Sequence, residues 1–456
     1  MRVYHFSEEP YPEAWSLDRP TLRVTLPNRL CRPEVAHDLY HRYIDEWALA
    51  DEIGLDIMVN EHHQTATCIT SSASVMLGIL ARITKRARIL ILGVPIANRS
   101  DPVRVAEELA MIDVISGGRL EMGFVKGIPY EITPANSSPL RFMDRFWEAH
   151  DIIIKAMTTH DGPFNFEGAF FHHRNVNIWP RPMQQPHPPV WVTTGSPGNA
   201  KELGRRGYVI GSFLGGFGAT SELHKAYAQG WREAGRGADV PVDRFGYLAL
   251  AAVGSSDAEA RRRAESIVDY IRTTAQVAPP FKQPPGYFDA DTLTRMLRTR
   301  SSNPRAIRPI ATPAGKMVQP ISASIDDLVD IGLLFCGTPD AVFKQITRFA
   351  DGIGGVDATV SFERARSGSS ANRSSRTTLI AIRCILADTI CTVRSISWPL
   401  TSMWSAWVPT GSSSVASPSS KAGSPGATAR DPSHRHRGSR RATRRQRPYR
   451  AVRDRR

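Results

Sequence analysis

An acid and two histidines in a row, Asn60-Glu61-His62-His63, close an apolar run at residues 55–60. A neutral imidazole with an ordinary pKa of about 6.5 suits proton transfer near neutral pH. Neighbouring side chains of a strand point to opposite sides, so only one of the two rings can face a given cavity, and adjacent ligands chelate a single metal ion poorly. Proton chemistry is therefore expected here, and a metal site is not. The run Gly123-Phe124-Val125-Lys126-Gly127-Ile128 sets a cation between glycines. Backbone amides can approach an anion there while the ammonium adds a point charge, which suits a phosphate. The stretch Thr193-Thr194-Gly195-Ser196-Pro197-Gly198-Asn199-Ala200 leads from a strand into a helix through small and hydroxylated residues. Such a helix start offers unpaired N–H groups and the positive end of a dipole. Ala97-Asn98-Arg99 follows another apolar run and can line the same mouth. Taken singly, each has a plainer explanation: rim histidines tied up in hydrogen bonds, a solvated loop lysine, a serine or asparagine helix cap. Together, two anion-suited sites and a protonatable histidine fit a phosphorylated cofactor.

These residues need a scaffold that brings loop ends together. Apolar runs at 2–6, 55–60, 87–96, 120–125, 189–194, 208–214, 245–253 and 356–362 predict eight strands. They alternate with amphipathic stretches at 35–53, 71–86, 102–115, 142–157, 198–206, 222–233 and 257–274, and with the pair 325–331 and 339–350. Near-continuous apolar strands alternating with helices argue for a parallel sheet covered by helices. Eight such units favour an α/β fold of the closed (β/α)₈ TIM-barrel type, whose active face is built from the loops after the strands, where all four clusters fall. Ser100-Asp101-Pro102 and Ser116-Gly117-Gly118 bracket one helix of the set with a cap and a glycine stop. Two insertions break the alternation. Residues 161–188, with GPFNFEGAFF and PRPMQQPHPP, read as a hairpin and an extended return. Residues 278–320, rich in Pro, Arg and Ser, read as a mobile lid.

The chain has 456 residues and a formal net charge of +14, which on its face suggests a polyanion partner. Located along the chain, the charge says otherwise. Residues 363–456 hold 19 basic and 4 acidic side chains, leaving 39 basic and 40 acidic for residues 1–362. The body is near neutral, as expected of a globular enzyme. The 94-residue tail contains 18 Ser, 18 Arg and one lysine, Lys421, and shows no periodicity beyond the patch TLIAIRCIL. Arg-rich, Lys-poor, Ser-rich text is what GC-rich coding sequence yields out of frame. A frame change within residues 356–366 is the expected origin of this tail, with loss of the helix that should cover the eighth strand; an ordinary disordered basic extension is the alternative. A barrel without that helix uncovers apolar side chains and risks instability. Cys31, Cys68, Cys336, Cys384 and Cys391 are scattered, with no C-x-x-C pair, so neither a disulfide framework nor a thiolate zinc site is indicated. A reducing, cytoplasmic location is expected. The start MRVYHFSEEP has no basic-then-apolar leader, and no uncharged apolar run reaches the roughly 18 residues of a membrane span.

The wording of the motifs is more specific. NEHH after the second strand, then PIANRSDPVRVAEELAMIDVISGGRLEMGFVKG, RFMDRFWEAHD, PRPMQQPHPPVWV and the late GTPDAV resemble the bacterial luciferase-like flavin monooxygenase family over about residues 1–360. The resemblance implies a (β/α)₈ barrel that uses reduced flavin mononucleotide (FMN) and dioxygen to oxygenate a small organic substrate. It also implies a homodimer and a separate reductase that supplies the reduced flavin. Carried over by position, His62 takes the place of the family's catalytic histidine, with His63 and Glu61 in support. Lys126 stands for a basic residue that contacts the flavin phosphate, and Ile128 lies near the ring system. Gly195, Ser196 and Asn199 fall at a phosphate-binding helix start, Asn98 lines the mouth, and Phe6 is a flat contact for the isoalloxazine or a barrel-core aromatic. Lysine for arginine keeps the charge and loses the bidentate fork. Gly198 and Asn199 replace an acid and a threonine common in the family. Trp179, Trp191, Phe213 and Phe217 are candidates for the substrate side, with packing as the alternative.

Two other functions stay open on the sequence. The same barrel hosts deazaflavin-dependent hydride-transfer enzymes, which the phosphate sites would serve equally. The run 434–456, with 11 basic residues and Trp398, Trp404 and Trp407 upstream, could bind a polyanion. No specific nucleic-acid or membrane partner is expected.

Overall fold

The computed structural model describes residues 2–16, 21–274, 276–282, 284–288, 290, 294, 309–353 and 379–383. Seven of the eight expected strands are among them. They are β1 (Arg2–Phe6), β2 (Asp56–Val59), β3 (Ile89–Pro95), β4 (Leu120–Val125), then, after the antiparallel hairpin β5 (Phe164–Glu167) and β6 (His172–Val176), β7 (Val190–Thr193), β8 (Val209–Phe213) and β9 (Phe245–Val253). All but the hairpin pair in parallel, in the order β1, β2, β3, β4, β7, β8, β9. The eighth place is filled by Leu379–Arg383, which pairs in parallel with β9 on one side and with β1 on the other and closes the ring. The strand expected at 356–362 lies outside the described residues. Its place in the ring is thus taken by LIAIR, from the stretch expected to be tail. The edges of β9 and β1 need backbone partners, and the pentapeptide LIAIR supplies them. A short strand, Leu334–Gly337, also pairs along the end of β9. All described residues belong to one compact unit, Met1–Ile396.

Helices α1 (Pro33–Glu52), α2 (Ala73–Ile83), α3 (Pro102–Ser116), α4 (Pro129–Ile132), α5 (Phe142–Thr158), α6 (Pro197–Arg206), α7 (Gly216–Glu233) and α8 (Asp257–Thr274) connect the strands. Strand alternation sends Tyr4, Phe6, Met58, Leu90, Trp191 and Val209 to the barrel interior. Ile57, Val59, Ile89 and Ile91 face outward against Trp47, Leu77 and Leu80 of the helices. Each such side chain contributes about 1.5–3 kcal/mol by leaving water. One charge sits inside: the Glu121 carboxylate accepts hydrogen bonds from the Tyr4 hydroxyl at 2.9 Å, Trp191 Nε1 at 2.9 Å and Arg88 Nη1 at 2.7 Å. Arg2 Nη1 adds a further bond at 3.2 Å, so five residues are tied together there, which satisfies the buried carboxylate. The caps expected around α3 form: Asp101 accepts from the N–H groups of Val103 and Arg104 at 3.0 and 3.2 Å, and Gly117 ends the helix at φ 69°. Gly123 admits no side chain, since a Cβ there would lie 2.1 Å from the carbonyl oxygen of Ile91 on β3. This close approach leads β4 into the Lys126 loop. Of the expected lid at 278–320, the short helix Pro279–Lys282, a turn at 284–288 and the stretch from 309 onward are described; most of 289–308 lies outside the described residues. Among the described residues, no helix is long and apolar enough to cross a membrane, and Cys31, Cys68 and Cys336 are free thiols.

Candidate active site

The parallel ring delivers the ends of β1, β2, β3 and β4 to one face, and there the two histidines each acquire a buried carboxylate. His62 Nδ1 lies 3.0 Å from Glu131 Oε1, an atom that also accepts the backbone N–H of His63 at 3.0 Å. Glu131 belongs to α4 and is buried. Burial pushes its carboxyl up, but the hydrogen bond and charge of His62 and the N–H and charge of His63 outweigh that and hold it below the ordinary value. An ionised Glu131 can only accept, so Nδ1 of His62 carries the hydrogen and Nε2 is left for chemistry. The imidazole remains about a fifth exposed, 22% against 2% for its partner, so it is anchored on one edge and open on the other.

Glu61 holds His63, with its Oε1 2.9 Å from His63 Nε2, and does not bond His62. The same oxygen takes the Arg99 guanidinium, and Oε2 accepts the N–H of Ala73 at the start of α2 at 3.0 Å. Glu61 and His62 lie in the loop that follows β2, and each is held by a different partner there. The hydrogen bond to Glu61 raises the His63 pKa, against the opposing effect of burial. Tyr130, next to Glu131, sets its hydroxyl 3.5 Å from His62 Nδ1 and accepts a hydrogen bond from Arg23, whose guanidinium lies 4.7 Å from its ring centre. Glu131, Tyr130 and Arg23 were not among the residues singled out from the sequence, whereas Arg99 belongs to the Ala97-Asn98-Arg99 cluster expected at the mouth. Glu131 stands 69 residues from His62, and no spacing rule connects them. A carboxylate in a one-turn helix directly after the glycine-flanked lysine was the available signal.

The anion-suited residues separate into two places. Asn98, at the end of the turn Ile96–Asn98 after β3, is half-buried, with both amide atoms shut off from solvent and unpaired. Gly127, at φ 91°, packs on that amide so closely that a Cβ would stand 3.0 Å from Asn98 Nδ2. Lys126 is beside it, its ammonium 3.8 Å from the ring centre of Tyr287 and 5.8 Å from that of Phe142. Ile128 is extended backbone leading into α4. An unpaired buried amide beside a glycine cradle and a cation is a polar surface that a bound group must complete. Gly195, Ser196 and Asn199 lie at the start of α6, where Ser196 makes no side-chain cap and Gly195 has open space around it. The first-turn N–H groups thus lack the serine cap that an ordinary helix start would have.

Phe6 is buried in the barrel-interior cluster with Tyr4, Met58, Leu90 and Trp191, which is the packing alternative. Trp191 is likewise interior, bonded to Glu121. Phe217 packs on Phe349 in a tilted arrangement, ring centres 4.7 Å apart, and Trp179 is almost wholly exposed. Phe213 is half-exposed at the end of β8. Aromatic type alone did not distinguish these surroundings. Among the described residues, no three or more His, Cys, Asp or Glu side chains gather to hold a metal ion.

A family model described as luciferase-like monooxygenase matches residues 24–355. The oxygenase component of the flavin-dependent trigonelline monooxygenase of Acinetobacter baylyi is 30% identical over 174 residues, 37% of this chain and 47% of that protein. The F420-dependent glucose-6-phosphate dehydrogenase of Amycolatopsis mediterranei is 28% identical over 174 residues, 36% of this chain and 51% of that one. The chain spans about half the length of these curated relatives. Among solved structures, the monooxygenase RslO1 of Streptomyces bottropensis superposes with a TM-score of 0.58 at 18% identity, covering 85% of this chain and 92% of that one, a likeness of fold.

Proposed function

The chain belongs to the luciferase-like monooxygenase family, and on that premise we propose that it is a flavin-dependent monooxygenase using reduced FMN and dioxygen to oxygenate a small organic substrate. The observation that carries the reading is the Glu131–His62 pair at the barrel mouth, an imidazole held by a buried carboxylate with its other nitrogen exposed. The site fits the cofactor at several points. Asn98 would pair its amide with a polar edge of the bound group, Gly127 would let that group approach the backbone, and Lys126 would face its phosphate. The uncapped start of α6, with Gly195, Ser196 and Asn199, offers further N–H donors. Reduced flavin, when bound, supplies the electrons that activate dioxygen.

The chain's own residues do the rest. Glu131 fixes the orientation and tautomer of His62, which holds or moves a proton at Nε2. His63 is held by Glu61, which also takes Arg99, and the hydrogen bond raises its pKa, which favours the cationic form beside His62 and so anionic species nearby. A separate reductase would deliver the reduced flavin, a reading supported by the relative that is the oxygenase component of a flavin-dependent monooxygenase. The exposed apolar side chains Val75, Ile79 and Ile83 of α2 form a stripe at helical spacing beside Met111, Val114 and Ile115 of α3. Such a two-helix face is self-complementary about a two-fold axis, and we assign it to a homodimer.

The test is anaerobic titration of the purified full chain with reduced FMN, followed by mixing with oxygen. Saturable binding, with flavin reoxidation altered from that of free flavin, supports the reading. Binding of reduced deazaflavin F420 in its place, with no affinity for reduced FMN, overturns it in favour of hydride transfer.

A further inference from the structure

We propose that Tyr287 is a positioning residue for Lys126, which holds the ammonium at the cofactor's phosphate and so makes phosphate recognition depend on the docking of the 284–288 turn. The inference rests on the flavin reading above. Tyr287 comes from the insertion after α8, 161 residues beyond Lys126, yet its ring is buried and its face lies 3.8 Å from Lys126 Nζ. Its hydroxyl reaches the Gly127 carbonyl oxygen at 3.5 Å, and its ring is 6.1 Å from Phe142 and 5.0 Å from Phe288. The turn is closed by the N–H of Tyr287 donating to the Pro284 carbonyl oxygen at 3.1 Å. Tyr287 therefore touches both the cation and the glycine cradle that packs on the unpaired Asn98 amide.

The chemistry explains how lysine can serve where a planar fork would otherwise be used. An ammonium on a four-carbon stem is a mobile point charge and loses rotamer freedom when it is fixed on a ligand. An aromatic face attracts it through the ring quadrupole and restricts the stem. Such a face holds an ammonium without itself carrying a neutralising charge.

The experiment compares affinities for reduced FMN and reduced riboflavin, which differ by the phosphate, in the full-length wild type, Tyr287→Leu, Tyr287→Phe, Lys126→Ala and the Lys126→Ala/Tyr287→Leu pair, all measured anaerobically. Leucine keeps the apolar bulk and removes the ring; phenylalanine keeps the ring. Tyr287→Leu is expected to lower the FMN-over-riboflavin preference by roughly three- to tenfold while riboflavin affinity holds, and Tyr287→Phe to retain it. In the Lys126→Ala background, Tyr287→Leu should add nothing. Equal losses for both flavins, or an undiminished preference in Tyr287→Leu, overturn the role of Tyr287 alone. A wild type that binds reduced flavin without preferring FMN overturns it together with the phosphate role of Lys126. A wild type that binds neither flavin overturns the flavin reading itself.

Discussion

Replacing Glu131 with glutamine tests the core of the site. The substitution keeps the shape, removes the charge, and leaves an amide that can still accept from one neighbour. In the native arrangement one carboxylate oxygen takes both His62 Nδ1 and the His63 N–H at 3.0 Å. Hydrogen bonds to a charged group contribute about 1.5–3 kcal/mol. Because His62 is partly exposed, with 22% of its side chain accessible, the lower half of that range applies to its bond. If the loss falls on the reacting state, about 1.5–2 kcal/mol corresponds to roughly a 10- to 30-fold change in rate. The assay needs no knowledge of the substrate: enzyme-bound reduced FMN is mixed with oxygen in a stopped-flow instrument, and the return of oxidised flavin is followed with the peroxide released. Glu131→Gln should change the rate constant by that factor and leave the affinity for reduced FMN within about twofold. Glutamine introduced into a His62→Ala background should change nothing more, because Glu131 is argued to act through His62. Unaltered kinetics in the single variant, or a full additional effect in the double variant, would refute the reasoning.

Other expectations follow from the same geometry. Glu9 is fully buried with both carboxylate oxygens unpaired, and burial, with the charge of Glu46, raises its pKa well above the ordinary 4.5. The folded chain then keeps a proton that the unfolded chain releases, so stability falls as pH rises above the ordinary value toward the folded one. Glu9→Gln, neutral at every pH, should gain on the wild type by about 1.4 kcal/mol per pH unit across that window, read by urea denaturation; a gap that does not vary with pH counts against it. A chain ending at Ile396 should unfold cooperatively like the full chain, whereas one ending before Leu379 exposes the edges of β9 and β1 and should be markedly less stable. Equal stability of the two truncations would remove Leu379–Arg383 from the barrel. Ile79→Glu or Met111→Glu places a charge in the α2–α3 stripe and should convert dimer to monomer in sedimentation; a monomeric wild type would dismiss that surface.

What the sequence determined by itself is the part of this protein governed by neighbours along the chain. Apolar runs bounded by turn residues gave seven strands near their observed positions, because a parallel strand buried on both faces has no alternative composition. Asp101, Pro102 and Gly117 gave the ends of α3, because capping is settled within four residues. Motif wording gave the family. Tertiary structure decided which groups meet. His62 was legible as a candidate; its partner Glu131 was not, because the partner arrives on a different loop and barrel closure alone brings them within 3.0 Å. Glu61, adjacent in sequence, was the natural choice of support and serves His63 and Arg99 instead, in the loop after β2. Phe6 and Trp191 could as well have faced a ligand until the ring closed around them. The most distant decisions were the contact of Tyr287 with Lys126 and the entry of Leu379–Arg383 between β9 and β1. Periodicity carries no record of either, because pairing across a barrel is chosen by which edges and charges are left unmet once the local elements have formed.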